Sequence, residues 1–469
     1  MSDLSPSSSV ETAATKRTVR SYPMYVFWVM FVISFLNYTD RYVLTGAANV
    51  VAHELGFGVD GIGYIASAFL IVYTLVTIPL GILADRTKRK DVIAGCVGIW
   101  SAITALTAVS FNFISLFFFR MLLGVGEAGY FPAGTALMGD YFPRVQRSRV
   151  MSWWSVAQLV GILVGYALGG ELAGIYLGSW RLAFLFTGIP GLVLAFLAWK
   201  LREPRRNEAD EGEAVASAPA IADVGEKITP PPVNPFSQIG RLLRIKSLVV
   251  LIVMQIFAFF VLSVATTYLP TFLQQKDLYG LKSGVAGLFS GGVIVLAGLV
   301  GTIFGGYLAD WLNKVHPGSR ILVCGIGFLL SAPTFALAVT SSSFGVFTIF
   351  FIITTILITF YTGPSTAATQ DVAPAVLRAS AVAVSLLIAH LLGDALSPSL
   401  VGVLARSFDP TGGTHFARNL AGHDLGHAML VTCTPALAIA GLVGLFGARW
   451  MKSDVAVAQE ADRLAKQVA

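Results

Sequence analysis

Apolar runs of about 20 residues, the length at which an α-helix crosses the hydrocarbon core of a bilayer, follow one another along this chain, parted by short clusters of charge, Pro and Gly. In lipid every backbone N–H and C=O must be satisfied, and uninterrupted apolar runs of this length do so as helices, a spanning strand needing only about 9–11 residues. They fall near 23–51, 60–84, 91–110, 113–138, 148–173 and 181–201, and again near 248–275, 284–311, 320–340, 344–371, 376–405 and 426–450. Between the two sets lies a segment rich in Arg, Glu and Asp from Arg202 to Glu213, then in Ala, then Pro230-Pro231-Pro232. That composition cannot pack a core and reads as a linker. The expected fold is an all-α polytopic membrane protein with 12 transmembrane helices in two six-helix halves. Its parts are an N-terminal tail (1–22), a first bundle (23–201), a linker (202–247), a second bundle (248–451) and a C-terminal tail (452–469).

Composition excludes the soluble alternatives. The chain is 55% hydrophobic and 12% charged, against roughly 25% charged in a globular protein. Its net charge of +6 is not a nucleic-acid footprint, because the basic residues sit just beyond the ends of apolar runs. Cys96, Cys324 and Cys433 lie inside apolar runs and behave as small hydrophobes, not as a disulfide or metal framework. The run from Pro23 is too long for a signal-peptide core and reads as the first span. The loops after the second and fourth spans hold Arg86, Lys88, Arg89, Lys90 and Arg144, Arg147, Arg149, whereas those after the first, third and ninth hold no Lys or Arg. Both termini are therefore expected in the cytoplasm, with the protein in the plasma (inner) membrane.

The two halves repeat each other. Gly81-Ile82-Leu83-Ala84-Asp85 returns 225 residues on as Gly306-Tyr307-Leu308-Ala309-Asp310, and Asp140, Pro143 and Arg147 return 231 residues on as Asp371, Pro374 and Arg378. Parallel six-helix repeats are the build of one large class of secondary transporter, with the substrate path between the halves.

Three segments resemble signatures of the major facilitator superfamily: Gly81 to Lys90 its loop between helices 2 and 3, with Lys88 where Gly is usual; Arg120 to Glu127 its helix 4; and Gly161 to Gly170 its helix 5. Within it, Asn37-Tyr38-Thr39-Asp40-Arg41, Gly126-Glu127-Ala128, Trp180-Arg181 and Arg202-Glu203-Pro204 are most similar to the Spinster lipid-transporter family. The anion:cation symporter family is second, through the Asn-x-x-Asp-Arg pattern and through Glu127-Ala128 with Phe131-Pro132. The Spinster resemblance implies an amphiphilic substrate such as a lysophospholipid or a sphingosine-phosphate-like lipid; the symporter resemblance implies small organic anions such as sugar acids.

Asp40, Arg41, Arg120 and Glu127 are ionisable groups within apolar spans, costly there unless paired or facing water, so they are expected to face a central cavity in one midmembrane layer. Arg120 and Glu127 stand too far apart along one helix to pair comfortably, which makes Asp40 the expected cross-helix partner of Arg120. A buried carboxylate beside an Arg can exchange a proton as its surroundings change, which makes Asp40 and Glu127 the proton-coupling candidates. Arg41 and Arg120 suit an anionic head group. Tyr268, Tyr361, His390 and Gln255 are further ligand candidates, and Phe257, Phe259 and Phe260 could wall an acyl tail or face lipid.

Asp85, Arg86, Arg89, Arg147, Arg149 and Asp310 are expected to gate, Asp85 meeting helix N-termini and Arg147 or Arg149 in a latch formed only when that side is closed. Glycines 161, 165 and 169 mark a close helix contact. His390 and Asp394, four apart, can share a hydrogen bond, while His423 and His427 lack the further ligands a metal needs. There is no phosphate-binding Gly-Lys loop, and Phe57 stands where a zinc protease's second His would follow His53-Glu54. The expectation is a proton-coupled transporter without other cofactors, monomeric in the bilayer, with no nucleic-acid partner; a membrane receptor or enzyme would leave the duplication unexplained.

Overall fold

A computed structural model describes residues 8–205, 208–209, 235–314, 318–374 and 377–468. The core of the expected linker, 206–207 and 210–234, and residues 1–7 of the expected N-terminal tail lie outside the described residues. Twelve helices among the described residues are long and apolar enough to cross a membrane. They are α1 (Tyr22–Leu55), α2 (Val59–Arg86), α3 (Arg89–Thr107), α4 (Phe113–Tyr141), α5 (Arg149–Ala173), α6 (Trp180–Lys200), α7 (Lys246–Gln274), α8 (Ser283–Asn313), α9 (Ser319–Val339), α10 (Phe344–Asp371), α11 (Ser380–Phe408) and α12 (Gly422–Leu464). Large apolar side chains such as Trp28, Phe186, Val300 and Phe446 stay exposed on the outside of the bundle, as lipid-facing residues do.

Local chemistry sets the ends of these helices. α3 stops at Thr107, short of the expected 110, because Asn112 opens α4 with a capping box: its side chain accepts from Ser115 N at 2.8 Å while the Ser115 hydroxyl accepts from Asn112 N at 3.2 Å. The start of α3 is held by Glu203, whose carboxylate accepts from the backbone N–H groups of Arg89 (2.9 Å) and Lys90 (3.0 Å). α12 begins at Gly422, earlier than expected, because Asp277 accepts from Gly422 N (3.0 Å) and His423 N (2.9 Å). Beyond the membrane this helix runs on to Val468, so the expected C-terminal tail is a helical continuation. It is docked: Asp454 accepts from Ser247 N at 2.8 Å, Ala458 is buried, and Asp462 pairs with Arg378 at 3.3 Å.

α1 packs on α5 through the glycine stripe. A Cβ at Gly161 or Gly165 would meet the carbonyl oxygens of Phe35 and Thr39 at 2.5 Å, so only glycine permits this approach. Because the number of spans is even, both termini lie on one face, called here the terminal face; the opposite face is the far face.

The hydrogen bonds and ion pairs that join the two halves among the described residues lie toward the far face. Asp60 pairs with Arg406 at 2.7 Å, and Asn49 donates to Asn419 at 3.0 Å and accepts from Gln275 at 3.2 Å. Tyr268 reaches the Val59 carbonyl at 3.3 Å, Tyr166 donates to that of Thr266 at 2.5 Å, and the Ser67 hydroxyl accepts from Ser399 N at 3.2 Å. The loop carrying Asn419 is braced by Asp409. Burial opposes ionisation of this carboxyl group, but hydrogen bonds from Thr411 and Gly413 and the nearby His415 outweigh it and hold the group below the usual carboxylate range.

On the terminal face the duplication extends to individual bonds. Arg89 pairs with Asp140 in the first half, and Arg320, 231 residues on, pairs with Asp371 in the second and with Asp310 at 3.0 Å. Arg147 Nε donates to the Phe142 carbonyl at 3.1 Å and its guanidinium also reaches that of Gly139; Arg378 Nε donates to the Ala373 carbonyl at 3.4 Å. These Arg147 bonds go to carbonyls at the end of α4, and Asp85, Arg86 and Arg149 lie exposed at the membrane edge.

Candidate functional site

Midway through the bundle, between the halves, is a cavity of about 360 Å³. The first half lines it with Arg41, Tyr42, Phe69, Arg120 and apolar residues of α1 and α2, and the second half with Phe259, Ser263, Thr266, Thr267, His390 and Asp394. The wall is aromatic and aliphatic with a few polar groups, the usual make-up of a small-molecule site.

Of the expected midmembrane charges, Asp40, Arg120 and Glu127 are buried and Arg41 is half-buried, and they are arranged differently from the expectation. Arg41, not Arg120, makes the cross-helix ion pair: its Nη2 and Nε both donate to Glu127 Oε2, at 2.6 and 3.1 Å. The guanidinium is further held among three rings, 5.2 Å from the centroid of Tyr38, 5.1 Å from Phe69 and 4.8 Å from Tyr73. Arg120 reaches the Arg41 backbone carbonyl at 3.4 Å and lies 5.6 Å from the Phe184 ring, with its Nη1 buried and lacking a hydrogen-bond partner. Asp40 pairs with neither Arg: it accepts from the hydroxyls of Thr104 on α3 and Thr187 on α6, the latter at 3.1 Å.

The cavity wall also departs from expectation. Arg41 and Arg120 line the cavity, whereas Asp40 and Glu127 do not; each is 1% exposed, within the packing of the first half. The arginines therefore form a screen, with the carboxylates behind it. The reason is azimuth: consecutive residues on a helix point about 100° apart, so when Arg41 faces the cavity, Asp40 faces α3 and α6.

Among the second-half candidates, His390 lines the cavity and shares a hydrogen bond with Asp394 at 2.6 Å. These two residues bound a π-helical turn, His390–Asp394, and a second one, Val293–Ala297, carries Ile294 into the wall. Such turns often mark functional sites. Of the three phenylalanines, Phe259 alone lines the cavity, with Phe257 and Phe260 packed in the second-half core. Tyr361 stands behind Phe259, ring centroids 6.3 Å apart, and Tyr268 belongs to the far-face closure, through the Val59 carbonyl. Gln255 is buried without lining the cavity.

Several residues that matter here carried no recognisable signal. Thr104 and Thr187 read as ordinary polar residues of spanning helices. Glu54 clasps α1 to α6 by accepting from Trp180 Nε1 at 2.9 Å and pairing with Arg181. Arg320 could have been found by carrying Arg89 across the 231-residue repeat.

Comparison with known proteins agrees with this architecture. The family profile described as Major Facilitator Superfamily matches residues 30–398. "Protein spinster" of Drosophila melanogaster is 28% identical over 389 residues, which cover 81% of this chain and 61% of that protein's length. "Probable galactarate/D-glucarate transporter GudP" of Escherichia coli (strain K12) is 30% identical over 329 residues, 67% of this chain and 70% of that protein. In fold, the chain is similar to the crystal structure of a bacterial homolog to the human lysosomal transporter Spinster in an inward-facing and unoccupied conformation, with a TM-score of 0.80, 24% identity, and coverage of 92% of this chain and 98% of that one. With the profile spanning most of its length and twelve apolar helices in a duplicated bundle, the chain belongs to the Major Facilitator Superfamily, a family of transporters and not of enzymes, and is a multi-pass integral membrane protein.

Proposed function

We propose that the chain is a proton-coupled secondary transporter of an amphiphilic anion, a lysophospholipid or sphingosine-phosphate-like lipid, working by alternating access with both termini in the cytoplasm and the protein in the plasma (inner) membrane. One observation carries the reading: two arginines line a mostly apolar cavity and screen two carboxylates from it. An anionic head group entering the cavity draws on Arg41 and Arg120. The cation that compensates Glu127, and the positive field at Asp40, are then shared with the substrate, and a proton becomes the cheaper compensation. Binding and protonation thus favour each other, and by linkage affinity rises as pH falls. The far-face closure gives the alternating-access cycle its other end: the Asp60–Arg406 pair and the Asn49 amide cluster must open to admit substrate there.

A cavity of about 360 Å³ suits a head group or a small organic anion, and the tail of a lysolipid would lie along the apolar wall toward Phe259. A second reading, a proton symporter of sugar acids, is favoured by the likeness to the galactarate/D-glucarate transporter and uses the same arginines without a tail. The experiment is uptake into proteoliposomes under an imposed pH gradient, with lysophosphatidylglycerol and glucarate side by side. Gradient-driven accumulation of the lysolipid is the expected result. Accumulation of glucarate alone would transfer the assignment to the second reading, and accumulation of neither would remove this substrate proposal.

A further inference from the structure

Asp40 is wedged between α1, α3 and α6, and its two oxygens meet different hydroxyls. Thr104 Oγ1 donates to Oδ2, and Thr187 Oγ1 lies 3.1 Å from Oδ1. Thr187 also lies 3.1 Å from the carbonyl oxygen of Ala183, one turn earlier on its own helix. Both threonines are buried, at 0% and 2% exposure. The charged groups acting on Asp40 are Arg120 and Glu127 of α4, with Arg41 adjoining it on α1; from α3 and α6 it meets these hydroxyls.

We propose that Thr104 and Thr187 are positioning residues for Asp40, together giving this buried carboxyl group a full set of hydrogen bonds both with and without its proton. A hydroxyl has one hydrogen to give and two lone pairs to receive with. When Asp40 is ionised, both threonines donate to it. When a proton arrives from the cavity and settles on Oδ1, the new carboxyl O–H donates to Thr187 Oγ1, and the Thr187 hydrogen turns to the Ala183 carbonyl. Oδ2 keeps its bond from Thr104. One proton is added, one hydroxyl rotates, and neither state leaves an unmatched polar atom, whose cost would otherwise oppose one of the two states. Thr104 serves chiefly the ionised form, whereas Thr187 serves both.

The inference rests on the reading of Asp40 as a coupling carboxylate, and its test separates the two. The pH dependence of transport is measured in proteoliposomes with whichever of lysophosphatidylglycerol and glucarate the wild type accumulates. Variants are Thr104→Val, Thr187→Val and the matching Thr→Ser substitutions, each checked for folding by its thermal transition. A hydrogen bond to a charged group is strong enough to move a titration by about one pH unit or more. Thr104→Val is expected to raise the half-maximal pH by about that much and Thr187→Val by less. The Ser variants should restore the wild-type midpoint, and in the Asp40→Asn background the Val substitutions should move nothing. Folded Val variants with an unmoved midpoint, or Ser variants displaced as far as Val, would overturn the proposal while leaving the coupling reading intact. A wild type whose transport ignores pH would overturn both.

Discussion

The two halves of the bundle are nearly interchangeable on the terminal face and unlike each other at the cavity. On that face Arg89–Asp140 and Arg320–Asp371 occupy equivalent places, and Arg147 and Arg378 each close on a carbonyl five residues back. At the cavity the first half offers two arginines backed by two carboxylates, and the second a His390–Asp394 pair on a π-helical turn. On the proposed function, parts that every conformational cycle needs would keep their duplicated form, and parts that meet a particular substrate would diverge. The buried charges at the cavity are thus concentrated in the first half, with the second supplying shape, hydroxyls and one titratable pair.

The sharpest way to break that comparison is to remove the two cavity arginines one at a time. Arg41→Ala strands Glu127, already buried with Oε1 unpartnered, and should cost about 3–5 kcal/mol of stability together with activity. Arg120→Ala gives up one long hydrogen bond and should cost about 1 kcal/mol while lowering affinity for an anionic ligand about tenfold or more. Thermal unfolding with and without lysophosphatidylglycerol or glucarate distinguishes the two. If Arg120→Ala were the less stable variant with its affinity kept, Arg120 would belong to the scaffold.

A smaller effect tests the symmetrical face. Arg89 and Asp140 are 12% and 6% exposed as side chains, against 21% and 37% for Arg320 and Asp371. Burial raises the cost of an unmatched charge, so Arg89→Ala should destabilise by about 2 kcal/mol and Arg320→Ala by about 1. Distances between labelled terminal-face helix ends should shift in the same direction in both variants. Equal stability losses would mean that water reaches the two pairs alike.

The fold was legible because bilayer thickness imposes a length on every span, and because Asp85 and Asp310, or Asp140 and Asp371, recur at fixed offsets. Depth was legible for the same reason: rise per residue puts Asp40, Arg41, Arg120 and Glu127 in the middle of the membrane. Azimuth was not. Which carboxylate meets which arginine depends on the rotation of α1 against α4, a property of packing that no single helix encodes, so the expected Arg120–Asp40 pair gave way to Arg41–Glu127. Tyr268 shows the same limit, since its position at the far-face closure follows from how α7 meets α2 and α11. The threonines around Asp40 were invisible for a different reason. Thr is common in membrane helices, usually bonding to its own backbone as Thr107 and Thr355 do here, and the sequence does not distinguish one that bonds across helices.

The central claim is that a proton on a screened carboxylate, with Asp40 the first candidate, ties substrate movement to the pH gradient. Asp40→Asn imitates the protonated form permanently. In proteoliposomes it should bind substrate and exchange it across the membrane at close to the wild-type rate, yet fail to concentrate it when a pH gradient is imposed. Accumulation against the substrate's own gradient by Asp40→Asn, driven by protons as in wild type, would contradict the assignment of the proton to Asp40 and leave Glu127 to carry it.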